Sequence, residues 1–222
     1  PLGEYIVQEA DAGEWYHLND EKRNVKISED GEIVMLDFKN KSKQPRVNIT
    51  KSCKNSVKSN EEIKYEFEIM NSGEVSLENF TWYDILPSEQ AKITKISTGT
   101  YNQGLSYNIC YKTNYKDTYM IAKANLNTTQ NNYIDLTQIH LEEGEKITEI
   151  KINFGTVKVG FCNIEKPHIY MQVNSDLKND TKIKNHTILE GFAKDYKVSD
   201  EDTATSTIYN VIEKKKLPRT GF

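Results

Sequence analysis

Apolar residues in this chain recur every second position, and that period constrains the fold more than any other feature. Glu62-Ile63-Lys64-Tyr65-Glu66-Phe67-Glu68-Ile69 sets one apolar face against one charged face. Side chains alternate across a strand, so this pattern suits a half-buried β-strand and no helix. Tyr5–Glu9, Asn24–Ile27, Glu32–Phe38, Arg46–Lys51 and Phe80–Leu86 read the same way. Further strands are expected at 92–98, 105–113, 118–123, 147–154, 168–174 and 205–211. Turns are expected at Asp30-Gly31, Asn71-Ser72-Gly73, Tyr101–Gly104 and Glu142–Glu145. The stretch 125–141 admits a short helix or a long loop. No long segment has a 3.6-residue period, so amphipathic membrane or partner helices are not indicated. The expectation is an all-β chain of antiparallel β-sandwich modules in tandem, the first incomplete.

Composition narrows the function classes. Thirteen tyrosines, 21 asparagines and five prolines in 222 residues suit strands and turns. Lys+Arg 29 against Asp+Glu 33 leaves a net charge of −4 and no basic patch, so nucleic acid is not an expected partner. No run of 18 apolar residues is present. Cys53, Cys110 and Cys162 are odd in number and form no Cys-x-x-Cys, and the four histidines are scattered. Neither a disulfide framework nor a metal site is expected, nor any cofactor. Gly-rich phosphate loops, His-Glu-x-x-His and Gly-x-Ser-x-Gly are missing, which argues against an enzyme. The acidic pairs at Glu142-Glu143 and Asp200-Glu201-Asp202 suit solvated loops better than paired catalytic carboxylates.

The final residues, Leu217-Pro218-Arg219-Thr220-Gly221, resemble the Leu-Pro-x-Thr-Gly sorting signal of Gram-positive surface proteins. Pro218 keeps the segment out of a helix, and Gly221 leaves room beside the Thr220 carbonyl for a thiolate. The resemblance implies cleavage after Thr220 by a sortase and transfer to peptidoglycan or to a neighbouring pilin subunit. A full signal continues into an apolar span, of which Phe222 would be the first residue, and a basic tail. The opening Pro1-Leu2-Gly3 reads as a point inside a longer protein, since no secretory signal precedes it. The expected location is a secreted, wall-anchored surface.

Residues 1–41 carry Gly3-x-Tyr5-x-Val7-x-Glu9-Ala10, Trp15-Tyr16 and Val34-x-Leu36-x-Phe38-x-Asn40. This resembles the C-terminal half of a Cna-B (SpaA-like) domain. The resemblance implies an intramolecular lysine–asparagine isopeptide bond, with Glu9 as the acid, Asn40 as the amide and the lysine upstream of Pro1. A buried carboxyl there stays protonated and polarises the amide carbonyl, while an apolar site frees the lysine amine.

Residues 42–45 read as a linker. Residues 46–212 carry Ile49-Thr50-Lys51, Glu62-Ile63-x-Tyr65, Asn71-x-Gly73, Asp84-x-Leu86-Pro87, Phe154-Gly155-x-Val157 and Ile183-x-Asn185. They resemble an Ig-like bacterial surface repeat with an Asp-x-Leu-Pro signature. Some related domains hold their own crosslink. The corresponding residues here are Lys51, Asp84 as the acid, and Asn185 or Asn210 as the amide. The alternative reading of Asp84 is a cap on the turn before Pro87. Residues 213–222 form the tail with the sorting motif. A structural or adhesive stalk, sortase-displayed, is the leading expectation, and a host extracellular ligand would be its further partner. A polymerised pilin subunit is the alternative, and a surface hydrolase or a ligand-binding module using aromatics such as Trp82 or Tyr101 is the alternative of another class.

Overall fold

A computed structural model describes residues 1–210. At the N-terminus, β1 (Gly3–Gln8) and β2 (Lys22–Ile27) form an antiparallel pair. Their alternation turns Tyr5, Val7, Val25 and Ile27 to one half-buried side. The expected strand at Glu32–Phe38 does not form. Leu36 and Phe38 lie half-buried and the Arg23 guanidinium sits 4.8 Å from the Phe38 ring centroid, but Ile33 and Met35 are exposed. Alternation selects a face; a strand also needs a neighbour to take its backbone hydrogen bonds, and among the described residues no strand pairs with this segment.

The remaining strands are β3 (Val47–Ser52), β4 (Ser56–Val57), β5 (Glu62–Asn71), β6 (Glu78–Ile85), β7 (Ala91–Ser97), β8 (Thr100–Tyr101), β9 (Ser106–Thr113), β10 (Met120–Asn127), β11 (Tyr133–Asp135), β12 (Ile147–Asn153), β13 (Asn163–Glu165), β14 (His168–Val173), β15 (Lys182–Ala193) and β16 (Tyr196–Ile208). Seven of them make one sheet in the order β10-β9-β12-β6-β15-β16-β4, and five make a second in the order β11-β7-β14-β5-β3. The short β8 and β13 pair with each other. The β16–β4 pairing is parallel and the others are antiparallel. The two larger sheets face each other across a shared core. Phe67 of one meets Trp82 of the other with ring centroids 4.6 Å apart. Phe80, Tyr101, Phe154 and Phe161 form an aromatic cluster at another part of this core. The fold is an all-β sandwich, as its alternation implies.

Two stretches differ from their sequence reading. Residues 125–141 hold no helix: β10 runs on to Asn127, and β11 adds a three-residue edge strand to β7. The long β15 carries little hydrophobic signal because its inward positions include Asn185, Thr187, Gly191 and Ala193. Gly191 is there for space. A Cβ at that position would stand 3.2 Å from Leu77 Cβ, tighter than ordinary contact.

The Asn71-x-Gly73 motif proves to be architectural. Asn71 Nδ2 donates to the carbonyls of Val75 (2.9 Å) and Lys158 (3.0 Å), and its Oδ1 accepts from Gly73 N. A Cβ on Gly73 would lie 2.4 Å from Arg46 N, so the incoming chain can pass only over a glycine.

Candidate functional site

The edge strand β3 brings Lys51 inward. Val47, Ile49 and Lys51 share the buried side of this strand, so the lysine occupies an apolar position by register. Such a placement desolvates an ammonium and is costly unless a partner is supplied. Asp84 supplies it from the facing sheet. In β6 the buried positions Trp82 and Asp84 alternate with Tyr83, and register sets Asp84 opposite Thr187 of β15. Asn185 lies two residues from Thr187 on the same inward face.

These three side chains meet. Lys51 Nζ donates to Asp84 Oδ1, and Asn185 Nδ2 donates to Asp84 Oδ2 at 3.1 Å. The lysine and aspartate side chains have no solvent exposure, and Asn185 is likewise buried. Two aromatic rings of β5 line the amine: Nζ is 5.1 Å from the Tyr65 centroid and 4.9 Å from that of Phe67. Burial pushes the Lys51 pKa down to about 8, against the pull of Asp84. Burial pushes the Asp84 pKa up, opposed by Lys51 and Asn185. Both shifts favour a neutral amine beside a neutral acid, the protonation state in which the amine is a nucleophile.

The backbone of β3 is held from the same direction. Asp200 Oδ2 accepts from Ile49 N (2.9 Å), and Asp202 Oδ2 accepts from Lys51 N (2.7 Å). The acidic run expected in a solvated loop is therefore part of β16, where two of its carboxylates close the free edge of β3. Sequence reasoning missed this role. The only sign of it is the spacing of Asp200 and Asp202, which puts them on one side of a strand.

The sequence left Asn185 and Asn210 as alternatives for the amide. Tertiary structure separates them. Asn210 lies away from Asp84; its Oδ1 accepts from Ser59 N and its Nδ2 donates to Leu177 O. Asp84 does not cap the turn at Pro87, where Gln90 N and Ala91 N bond to the Pro87 carbonyl instead.

The N-terminal pair is arranged differently. Asn40 Nδ2 donates to Glu9 Oε1 (2.6 Å), and Asn19 N donates to Glu9 Oε2 (3.0 Å). Both residues are half-buried. Among the described residues no lysine amine bonds either group, and Asn40 Oδ1 is buried without a partner.

The other candidates are dispersed. Leu217, Pro218, Arg219, Thr220 and Gly221 lie outside the described residues. Trp82 and Tyr101 are buried core rings rather than exposed contact residues. Cys53, Cys110 and Cys162 are free, partly buried thiols. No group of three or more His, Cys, Asp or Glu side chains able to hold a metal occurs among the described residues.

No family model matches the chain. No curated protein sequence matches it. Among solved structures, BcpA, the major pilin subunit of Bacillus cereus, is 15% identical with a TM-score of 0.39; the match covers 94% of this chain and 55% of that one. The collagen-binding subdomain ACE19 of the Enterococcus faecalis surface protein ACE is 9% identical with a TM-score of 0.34, covering 72% of this chain and 95% of that one. AvmM, which catalyses macrocyclisation in alchivemycin A biosynthesis, is 8% identical with a TM-score of 0.37, over 82% and 99% of the two chains. This chain thus spans about half the length of the pilin it resembles. At such identities and TM-scores none of these likenesses carries an argument about function.

Proposed function

We propose that this chain is a structural stalk segment of a Gram-positive surface protein, locked by an intramolecular isopeptide bond between Lys51 and Asn185. The observation that carries the reading is the burial of a lysine and an amide on the same carboxylate, with no exposure of the lysine or aspartate side chain. An ion pair in such a place is a poor stabiliser by itself, since desolvation offsets most of its attraction. A covalent bond gives the arrangement a purpose.

The chemistry balances. Asp84 takes a proton from the Lys51 ammonium, and the freed amine attacks Asn185 Cγ. The C–Nδ2 bond breaks and the nitrogen leaves as ammonia, receiving its proton through Asp84. Once the new amide nitrogen has released its surplus proton, Asp84 is left as a neutral acid, consistent with its upward-shifted pKa. Asp84 touches both reacting nitrogens.

The crosslink would join β3, at the edge of one sheet, to β15 within the other. Tension between residues 51 and 185 would then run through a covalent bond rather than through strand ladders. Leu217–Gly221 supports display by a sortase, with cleavage after Thr220 and attachment to the wall. A pilin subunit joined to its neighbours is the second reading, and the covalent ladder it would leave in cell-wall extracts distinguishes the two. Intact mass of the purified protein tests the crosslink. Loss of ammonia lowers the mass by about 17 Da, the mass of one ammonia set free by amide transfer. An unshifted mass rules the bond out.

A further inference from the structure

The sandwich interior holds four buried polar atoms without a hydrogen-bond partner among the described residues: Tyr65 Oη, Tyr107 Oη, Asn185 Oδ1 and Ser206 Oγ. A buried hydroxyl left unpaired is destabilising, and phenylalanine would pack in the place of Tyr65 without that cost. Tyr107 stands on β9, whereas the other three belong to β5, β15 and β16, strands that supply or adjoin the Lys51–Asp84–Asn185 contact. Tyr65 is the inward neighbour of Phe67, which pairs with Lys51, and its ring lies 5.1 Å from Lys51 Nζ. Ser206 comes from β16, where it pairs with Ile183, two residues from Asn185.

The amide of Asn185 explains the pattern. Its nitrogen is already engaged by Asp84, so the carboxyl serves the two nitrogens and leaves the oxygen unserved. Attack at Cγ turns that oxygen into an oxyanion in a site closed to water. An oxyanion so placed is stabilised by a hydroxyl that can turn toward it. Tyr65 and Ser206 offer the two free hydroxyls. The tyrosine reaches in from the sheet that also delivers the attacking lysine, and its hydroxyl has no other bond to give up. Burial, then the fields of Cys53 and Asp84, push its pKa up, so it remains a neutral donor throughout.

We propose that the Tyr65 hydroxyl donates a hydrogen bond to Asn185 Oδ1 as Lys51 attacks, and so sets the rate at which the sandwich locks itself. This rests on the crosslink proposed above. Tyr65 keeps its proton, and the atoms exchanged remain those of Lys51, Asn185 and Asp84.

The test follows the reaction in time. Chains made by cell-free synthesis are quenched in acid at intervals and weighed intact. For the wild type the 17-Da loss grows with time; for Tyr65→Phe it grows about a hundredfold to a thousandfold more slowly, the range seen when one oxyanion donor is removed. Ser206→Ala stays within about twofold of wild type if Tyr65 is the donor, by the same reasoning. A Tyr65→Phe rate equal to wild type, or a slow Ser206→Ala beside a normal Tyr65→Phe, overturns the assignment while leaving the crosslink intact. A wild-type mass that never falls overturns both. Thermal unfolding in an Asn185→Ala background separates donation from packing. There Tyr65→Phe leaves the melting temperature unchanged or raises it, whereas a drop points to a packing role and overturns the assignment.

Discussion

Glu9 with Asn40 and Asp84 with Asn185 are the same pair of functional groups in two settings. Each carboxyl accepts from its amide nitrogen, at 2.6 Å and 3.1 Å respectively. Around Glu9 no residue from 1 to 46 is buried, and the apolar side of β1 and β2 is only half covered. Around Asp84 the side chains of two sheets exclude water completely, and a lysine amine is held against two rings. Hydrogen bonding is thus common to both pairs and does not distinguish them. Burial and the presence of an amine do. They shift both Lys51 and Asp84 toward neutrality, and neutrality is what makes the pair reactive.

That contrast can be broken at four points, from the largest expected effect to the smallest. Asp84→Ala abolishes the 17-Da loss and leaves the Lys51 amine buried without its partner. Such a change costs about 3–5 kcal/mol, read as a lower midpoint in urea unfolding. A variant as stable as wild type would mean that the site is not closed to solvent.

The second point is pH. In the crosslinked protein Lys51 is an amide nitrogen and no longer titrates. In Asn185→Ala it does, with a folded pKa of about 8 against the higher unfolded value. Between these two values the unfolded chain holds a proton that the folded chain has lost, so stability rises with pH. The lysine contributes about 3 kcal/mol across that window by the usual conversion of pKa to free energy. Denaturant melts of Asn185→Ala at pH 7 and pH 10 should therefore differ by more than those of wild type. Parallel pH dependence in the two proteins would contradict a reacted lysine.

Third, Gly73→Ala forces a Cβ to within 2.4 Å of Arg46 N and displaces the chain where it enters β3. The expected cost is about 1–3 kcal/mol, typical of overpacking. A melting temperature equal to wild type would show that this entry point yields without cost. Fourth, Glu9→Gln keeps the shape of a half-exposed group and should change the unfolding midpoint of the sandwich by less than about 0.5 kcal/mol, as for most surface changes. A loss comparable to that of Asp84→Ala would place Glu9 in a closed site after all.

The strands with a clean two-residue period were legible without coordinates. β5 is the clearest, because Ile63, Tyr65, Phe67 and Ile69 alternate with charged residues along its length. β15 was not, although it is among the longest strands. Its inward face carries Asn185, Thr187 and Gly191, residues that serve the site and the close passage of Leu77 rather than apolar packing. The failure at Glu32–Phe38 runs the other way, with a strand-like pattern that has no neighbour to pair with. Function-bearing positions thus weaken the periodic signal, and pattern alone overstates an unpaired segment.

Sequence by itself determined the all-β class, the turns around Asn71-x-Gly73 and the short roster of lysine, acid and amides from which a crosslink could be drawn. Those are local properties: period, φ preference and side-chain chemistry. Tertiary structure alone set Asn185 and not Asn210 against Asp84, turned Asp84 away from the Pro87 turn and set Asp200 and Asp202 against the edge of β3. Lys51 and Asn185 are 134 positions apart, and no local rule measures that distance. Their meeting depends on the register of β6 against β15 and on the face-to-face packing of the two sheets. The same packing excludes water, which makes an ordinary lysine, aspartate and asparagine a candidate for covalent chemistry.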